Sequence, residues 1–393
     1  MKHRFALAAL AALGVALVVY LAVERATERD AMTALAGRVL MVGFDGRVAS
    51  DDGVRRTVGQ LRRGEIAGVM YLRRNVRGEG QVKALNRLLT GAADRTPLVA
   101  LDQEGGRVSR LGRRSGFRRT PSAFSIGRTG PEQAMAAYER MAQGLRDWGF
   151  NVNFGPVVDL HRRDNPIIGR LGRAYAAEPE TVVPFARAFV HAHAAAGIAT
   201  ALKHFPGHGS SLRDTHTGSA DVTETWSPAE LDPFRALVAE APLVMTGHIV
   251  NRQLGSGAPA TLAPEIVTGL LRERLGFTGV VVSDDLQMDA ISDRYDEPEA
   301  AERAMRAGVD LLLFANDGRV DPNLVTRVTE HLARVARRDP SFERRLQEAG
   351  DHVDRLRERL GAQPVASWSS SAMPDRSISQ TSARRNTASE TSR

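Results

Sequence analysis

The residues of this 393-residue chain best suited to chemistry sit where apolar runs stop. Asp102 follows Leu98–Leu101 in LDQEGGRVSRL, and Lys203 with His204 follows 198–202 in ALKHFPGHGSSLRDTHTG. His248 comes just after Leu243–Thr246, and Asp284 ends an apolar run in VVVSDDLQMDA. The segment beyond His204 adds His208, Asp214 and His216. Carboxylates and imidazoles gathered in one place supply nucleophiles and proton carriers, the working groups of hydrolysis near neutral pH. Any one of them, Asp102, Asp285 or His248 for instance, has a plainer explanation, because loops are polar and a carboxylate after a strand often caps the next helix. Charged groups delivered at the same end of several apolar segments need a common reason.

The histidines also permit a metal reading. His204, His208, His216 and Asp284 offer enough ligand atoms for a metal-dependent hydrolase, since histidines four apart on one helix can share an ion. Pro206, Gly207 and Gly209 break a helix through that segment, so the spacing loses its geometric meaning. No metal or other cofactor is expected.

The elements that must position these residues follow from the apolar rhythm. Between residues 37 and 316, short apolar runs alternate with longer amphipathic stretches, as βα units do around a parallel sheet. The runs fall at 39–43, 66–72, 98–101, 152–154, 198–202, 243–246, 279–282 and 309–314, with helical candidates at 80–89, 132–148, 181–196, 263–275 and 298–307. Eight strands close a barrel. The expected fold is therefore α/β, a single (β/α)8 TIM barrel; a doubly wound open sheet is the alternative, but no phosphate-type glycine fingerprint follows the first run. Such a barrel carries its active site at the C-terminal ends of its strands. Residues 323–360 read as one or two amphipathic helices finishing the outer ring. Gly207, Gly209 and Gly218 around Ser210 and Ser211 suggest a flap able to close over a substrate.

A composition of 42% hydrophobic and 25% charged residues suits one large globular domain. The net charge of +7 comes from basic residues spread among acids, so no nucleic-acid partner is read from it. Lysine occurs only at Lys2, Lys83 and Lys203, which makes a lysine kept at 203 informative about a place that needs a compact ammonium. The absence of cysteine excludes disulfides and thiolate metal sites. Residues 1–4 are basic, and the nineteen residues 5–23 carry no charge, about the length that spans a bilayer. The expected organisation is a cytoplasmic stub and signal-anchor transmembrane helix at 1–30, the barrel at 31–360, and a Ser/Thr/Arg-rich disordered tail at 361–393. It implies an inner-membrane anchor with the catalytic domain on the periplasmic or extracellular side, secretion after signal-peptide cleavage being the alternative. A monomer is expected.

LDQEGGRVSRL, KHFPGHGSSLRDTHTG and VVVSDDLQM resemble the three signature segments of glycoside hydrolase family 3, and specifically its single-domain bacterial β-N-acetylglucosaminidases (β-hexosaminidases). The similarity runs from about 35 to 313 in the expected order; KHFPGHG followed by Asp-Thr-His is the specific part, and SDD alone is weak. The resemblance implies a retaining enzyme that removes terminal non-reducing β-linked N-acetylglucosamine from peptidoglycan fragments or chitooligosaccharides through a covalent glycosyl-enzyme. Carried over by position, it implies Asp284 as nucleophile, His216 as proton carrier and Asp214 as the group that orients it. Asp102, Arg110, Arg173, Lys203 and His204 would hold the sugar. IIGRLGRAY is one residue longer than the family pattern, which leaves Arg170 as a substitute for Arg173. The implied chemistry is sound on its own terms, because an imidazole titrates near neutrality and a paired aspartate fixes its tautomer. A β-glucosidase of the same family is the nearest alternative, and a tethered, non-catalytic glycan-binding protein is the reading from outside enzymology.

Overall fold

The computed structural model describes residues 31–318 and 320–362. The expected membrane anchor and the tail from 363 onward lie outside the described residues. Among those described, no helix is long and apolar enough to cross a membrane.

Eight parallel strands are laid down in chain order: β1 (Leu40–Gly43), β2 (Gly68–Tyr71), β3 (Leu98–Leu101), β4 (Val152–Asn153), β5 (Ala199–Phe205), β6 (Leu243–Thr246), β7 (Val280–Ser283) and β8 (Leu312–Phe314). Val42 lies opposite Val69, Val69 opposite Val99, and Leu40 of the first strand opposite Leu312 of the last. β7 and β8 meet through a parallel bridge between Val282 and Leu311, which closes the ring. The strands read as unbroken apolar runs because both faces are buried. Met41, Met70, Leu98, Ala100, Met245 and Val282 fill the barrel, whereas the alternate residues Val42, Val69, Val99 and Val244 pack outward.

A helix follows each strand: α1 (Asp52–Arg62), α2 (Glu79–Thr90), α3 (Pro131–Trp148), α4 (Pro179–Ala195), α5 (Asp232–Leu237), α6 (Glu265–Arg274), α7 (Glu297–Ala307) and α8 (Leu324–Ala336). Proline at the first turn starts α3 and α4, and Gly149, with φ of 90°, ends α3 in the left-handed region. α6 is wound with π-type hydrogen bonds, Leu275 N donating to Leu270 O at 3.0 Å.

The last helix, α9 (Pro340–Gly361), departs from the expectation that it would join the outer ring. Its Val353, Leu356 and Leu360 belong to the cluster that fills the barrel interior. Its polar side is bonded to segments that precede strands. Arg38 reaches Asp351 and Asp354, Arg357 donates to the carbonyls of Arg95 and Thr96, and Arg345 and His352 meet the buried Asp310. α9 thus floors the N-terminal end of the barrel. An amphipathic period has the same form whether the apolar stripe covers an outer helix or a barrel opening, so periodicity alone does not separate the two.

Candidate active site

The site is built first from β3 and β5. Asp102 leaves β3, and Glu104 lies in a hairpin of Gln103–Gly105 with Val108–Ser109. Asn153 at the end of β4 holds that hairpin, its Oδ1 accepting from Gln103 N at 2.9 Å and its Nδ2 donating to Gln103 O at 3.0 Å. Gly105 (φ 100°) makes the turn where an added Cβ would lie 2.3 Å from the Pro121 carbonyl oxygen. From β5, the buried Lys203 places its Nζ 2.8 Å from Asp102 Oδ1 and 2.7 Å from Glu104 Oε1.

The network continues outward from this pair. Arg110 reaches Asp102 Oδ2 at 2.7 Å, and Arg173 grips Glu104 with two bonds of 2.8 and 2.9 Å. Arg173 Nη2 lies 3.3 Å from His204 Nε2, and His204 Nδ1 lies 2.7 Å from Asp159 Oδ2. An arginine can only donate, so His204 accepts at Nε2 and donates from Nδ1 to Asp159. Burial opposes charge on Asp102 and Glu104, but the cations outweigh it and hold both carboxyls below their ordinary range: Lys203 with Arg110 at Asp102, Arg173 with Lys203 at Glu104. Burial likewise works against the Lys203 ammonium, and the two carboxylates more than offset it, so its pKa is raised.

Asp284 leaves β7 on the opposite side of the mouth and is half-buried. Its Oδ1 accepts from Asp285 N at 2.8 Å. Burial would raise its pKa, yet the neighbouring imidazoles of His204 and His248, the Asp285 N–H and, last, His216 together keep it below the ordinary value. Asp285 is occupied differently, its Oδ1 accepting from Gln287 N and from Ala315 N at 2.9 Å, which ties the β7 loop to β8. Burial pushes Asp285 up to about 6. His248 pins the same loop, with Nε2 2.9 Å from the Asp285 carbonyl and Nδ1 2.8 Å from Thr261 Oγ1. Burial lowers its pKa, and its Nε2 donates to that carbonyl oxygen.

Asp214 and His216 sit on the flap between β5 and α5. His216 Nδ1 and its backbone N lie 2.7 and 2.9 Å from Asp214 Oδ1, while the imidazole is 61% exposed, leaving Nε2 open to solvent. The turn Thr215–Thr217 packs against the short helix Asp289–Ser292 of the β7 loop, which carries His216 toward Asp284.

The structure therefore brings Asp102, Arg110, Arg173, Lys203 and His204 into one network, with Asp284 and the Asp214–His216 pair at the same mouth. Arg170 is excluded from it. That residue is exposed and lines a separate crevice of about 950 Å³ with Phe124, His161 and Arg163. Of the residues offered for a metal, His204 has both ring nitrogens engaged, by Arg173 and by Asp159. Among the described residues no group of three or more His, Asp or Glu is arranged to hold an ion.

Three buried carboxylates at the mouth of the barrel escaped the sequence reading. Glu104 stands two residues after Asp102, the spacing that puts alternate side chains of extended chain on one side. Asp159 ends Val157–Val158 just as Asp102 ends its own run, but the fourth apolar run expected from the sequence stops at Phe154. Glu230, which accepts from the backbone of Gly209 and Ser210, follows no pattern legible in one sequence.

A closed parallel barrel that delivers carboxylates and an aspartate-bound imidazole to its C-terminal mouth defines a hydrolase of the (β/α)8 class. Residues 41–356 match the model of the glycosyl hydrolase family 3 N terminal domain, and the chain belongs to that family of glycoside hydrolases. It is 38% identical over 275 residues to a Stenotrophomonas maltophilia (strain R551-3) protein named beta-hexosaminidase, covering 67% of this chain and 80% of the relative. A β-N-acetylhexosaminidase structure from Beutenbergia cavernae superposes with a TM-score of 0.77 at 30% identity, over 83% of this chain and 98% of the other. A family 3 β-N-acetylglucosaminidase from Paenibacillus sp. str. FPU-7 gives 0.76 at 31% identity, over 88% of this chain and 65% of that one.

Proposed function

We propose that the protein is a retaining exo-β-N-acetylglucosaminidase that releases terminal N-acetylglucosamine from envelope glycans, peptidoglycan fragments first and chitooligosaccharides second. Residues 1–30 would tether it to the inner membrane with the barrel on the outer side. The observation that carries the catalytic reading is the pairing of an ionised, half-buried Asp284 with a preformed Asp214–His216 pair on a flap that packs against the same loop.

In this mechanism the sugar hydroxyls are held by Asp102, Arg110, Lys203, Arg173 and His204. Asp284 attacks the anomeric carbon as His216 Nε2 gives its proton to the departing oxygen, so that the glycosidic bond breaks while a glycosyl–aspartate bond forms. Asp214 fixes the ring through Nδ1 and stabilises the imidazolium. The neutral imidazole then takes a proton from water, the water oxygen bonds to the anomeric carbon, and Asp284 leaves as carboxylate. Two inversions restore the β configuration.

A 5-fluoro glycosyl donor with a good leaving group tests the covalent step, because it slows breakdown of the intermediate. Peptide mapping should find the label on Asp284, and label on Asp285 or Asp102 would reject the assignment. A panel of aryl β-glycosides, run with and without chelator, tests the rest: preference for glucosides favours the β-glucosidase alternative, and loss of activity to chelator revives the metal one.

A further inference from the structure

The flap leaves β5 at Phe205 and returns through the 3-10 turn Pro228–Leu231, and the returning strand of chain grips the departing one. Trp226 Nε1 donates to the Pro206 carbonyl at 3.2 Å. Glu230, 3% exposed, accepts from Gly209 N at 2.8 Å through Oε2 and from Ser210 N at 3.1 Å through Oε1. Gly207 (φ 114°) lets the main chain lie against this side chain, where an added Cβ would approach Glu230 Cβ to 2.5 Å. From the other flank, Asn165 Nδ2 donates to the carbonyls of His208 and Gly209 at 2.8 and 3.0 Å, and Asp159 accepts from His208 N at 2.8 Å. Residues 206–210 are thus held from both sides by buried groups. Beyond them the tethers are fewer: Ser211 N donates to His208 O at 3.3 Å and its hydroxyl to Arg213 O at 2.7 Å, His208 Nε2 lies 3.4 Å from Thr215 Oγ1, and Leu212 is 54% exposed.

A buried carboxyl is a costly way to anchor an ordinary loop: burial first, and Asp159 nearby, push this one up to about 7 against the hydrogen bonds it accepts, and its oxygens are spent on main-chain amides. We propose that Glu230 is a positioning residue for the acid/base pair: it fixes the Gly209–Ser210 hinge from which the flap swings, and thereby sets where His216 Nε2 stops relative to the leaving oxygen. The proposal rests on reading Asp214 and His216 as the acid/base pair. His216 lies six residues beyond the hinge, so a small rotation at Ser210 becomes a displacement of the order of an ångström at the imidazole. Misplacement of that size weakens proton transfer far more than it weakens sugar binding.

Glu230→Gln keeps the volume and one acceptor oxygen but turns an amide NH2 toward the second backbone N–H. Expected is a drop of about tenfold in kcat/KM on a disaccharide with an unactivated leaving group, against about twofold or less on a dinitrophenyl glycoside, which needs no proton. Binding of N-acetylglucosamine should be unchanged, while the thermal midpoint should fall, because two buried donors then face each other. Trp226→Phe, which removes the other clamp bond, should show the same leaving-group bias more weakly and serves if the glutamine variant does not fold. Equal losses on both substrates, or no loss on either, overturn the proposal. His216→Ala measured alongside separates the two levels. If it lacks leaving-group bias, the acid/base reading falls and takes the role of Glu230 with it; if it shows the bias and the clamp variants do not, only the role of Glu230 falls.

Discussion

Lys203→Met removes one charge from the centre of the sugar-side network and keeps the unbranched stem. The wild-type ammonium is 2% exposed and serves two carboxylates, at 2.8 and 2.7 Å. Without it Asp102 keeps only Arg110, whose side chain is 28% exposed and therefore screened, while Glu104 keeps the more buried Arg173. The loss should accordingly fall mainly on Asp102. Removing one member of a buried ion pair costs about 3–5 kcal/mol. The surviving arginines put Lys203→Met toward the lower end of that range at pH 7.

The pH dependence has a definite sign. In the wild type both carboxyls lie below their ordinary values, so they contribute stability above the unfolded pKa of about 4 and lose it as pH falls through the folded value. In the variant that depression shrinks, so its deficit should be full at pH 7 and narrow only below about pH 4, where the wild type loses its extra stability. Urea unfolding at pH 7 and at about pH 3, with equal m, measures it. A deficit under about 1 kcal/mol at pH 7, against the 3–5 kcal/mol of a broken buried pair, or one that does not narrow in acid, would refute the reasoning.

His216→Ala should accumulate glycosyl-enzyme on activated substrates, seen as an initial burst, and azide should partly restore turnover with a β-configured product; no burst and no rescue would move the acid/base role elsewhere. Arg173→Ala should raise KM by about tenfold or more by leaving Glu104 with Lys203 alone, whereas Arg170→Ala should leave kinetics within about twofold, and the reverse order would reinstate Arg170. Asp310→Asn should cost about 2–4 kcal/mol in denaturant because Arg272, Arg345 and His352 lose their shared carboxylate, with KM unchanged. An altered KM at unaltered stability would show that the barrel floor communicates with the mouth.

The barrel was legible because each strand is apolar on both faces and each is separated from the next by a helix-length stretch. The strand-end residues were legible for the same reason, a charge at the end of such a run being conspicuous. What escaped was whatever depends on contacts between distant segments. Nothing near Glu230 in sequence announces that its carboxyl meets Gly209 and Ser210, twenty residues upstream. The choice between Arg173 and Arg170 required the path of the loop after β4, which is set by Asn165 turning the chain through bonds to Ile167 N and Ile168 N. The path of α9 required knowing what its stripe faced.

The flooring of the barrel by α9 governs how the chain becomes a folded protein. β1 must wait for β8, some 270 residues later, before its free edge is paired, and the interior stays open to water from below until Val353, Leu356 and Leu360 arrive. Contacts so distant in sequence are slow to form, because the closure entropy of a long loop is spent before they give anything back. During synthesis almost the entire domain has therefore been made before any of it can close. A chain interrupted between α8 and α9 would present Met41, Met70, Leu98 and Met245 to solvent through an unsealed end, and such an intermediate offers a chaperone, or an aggregate, its most apolar surface.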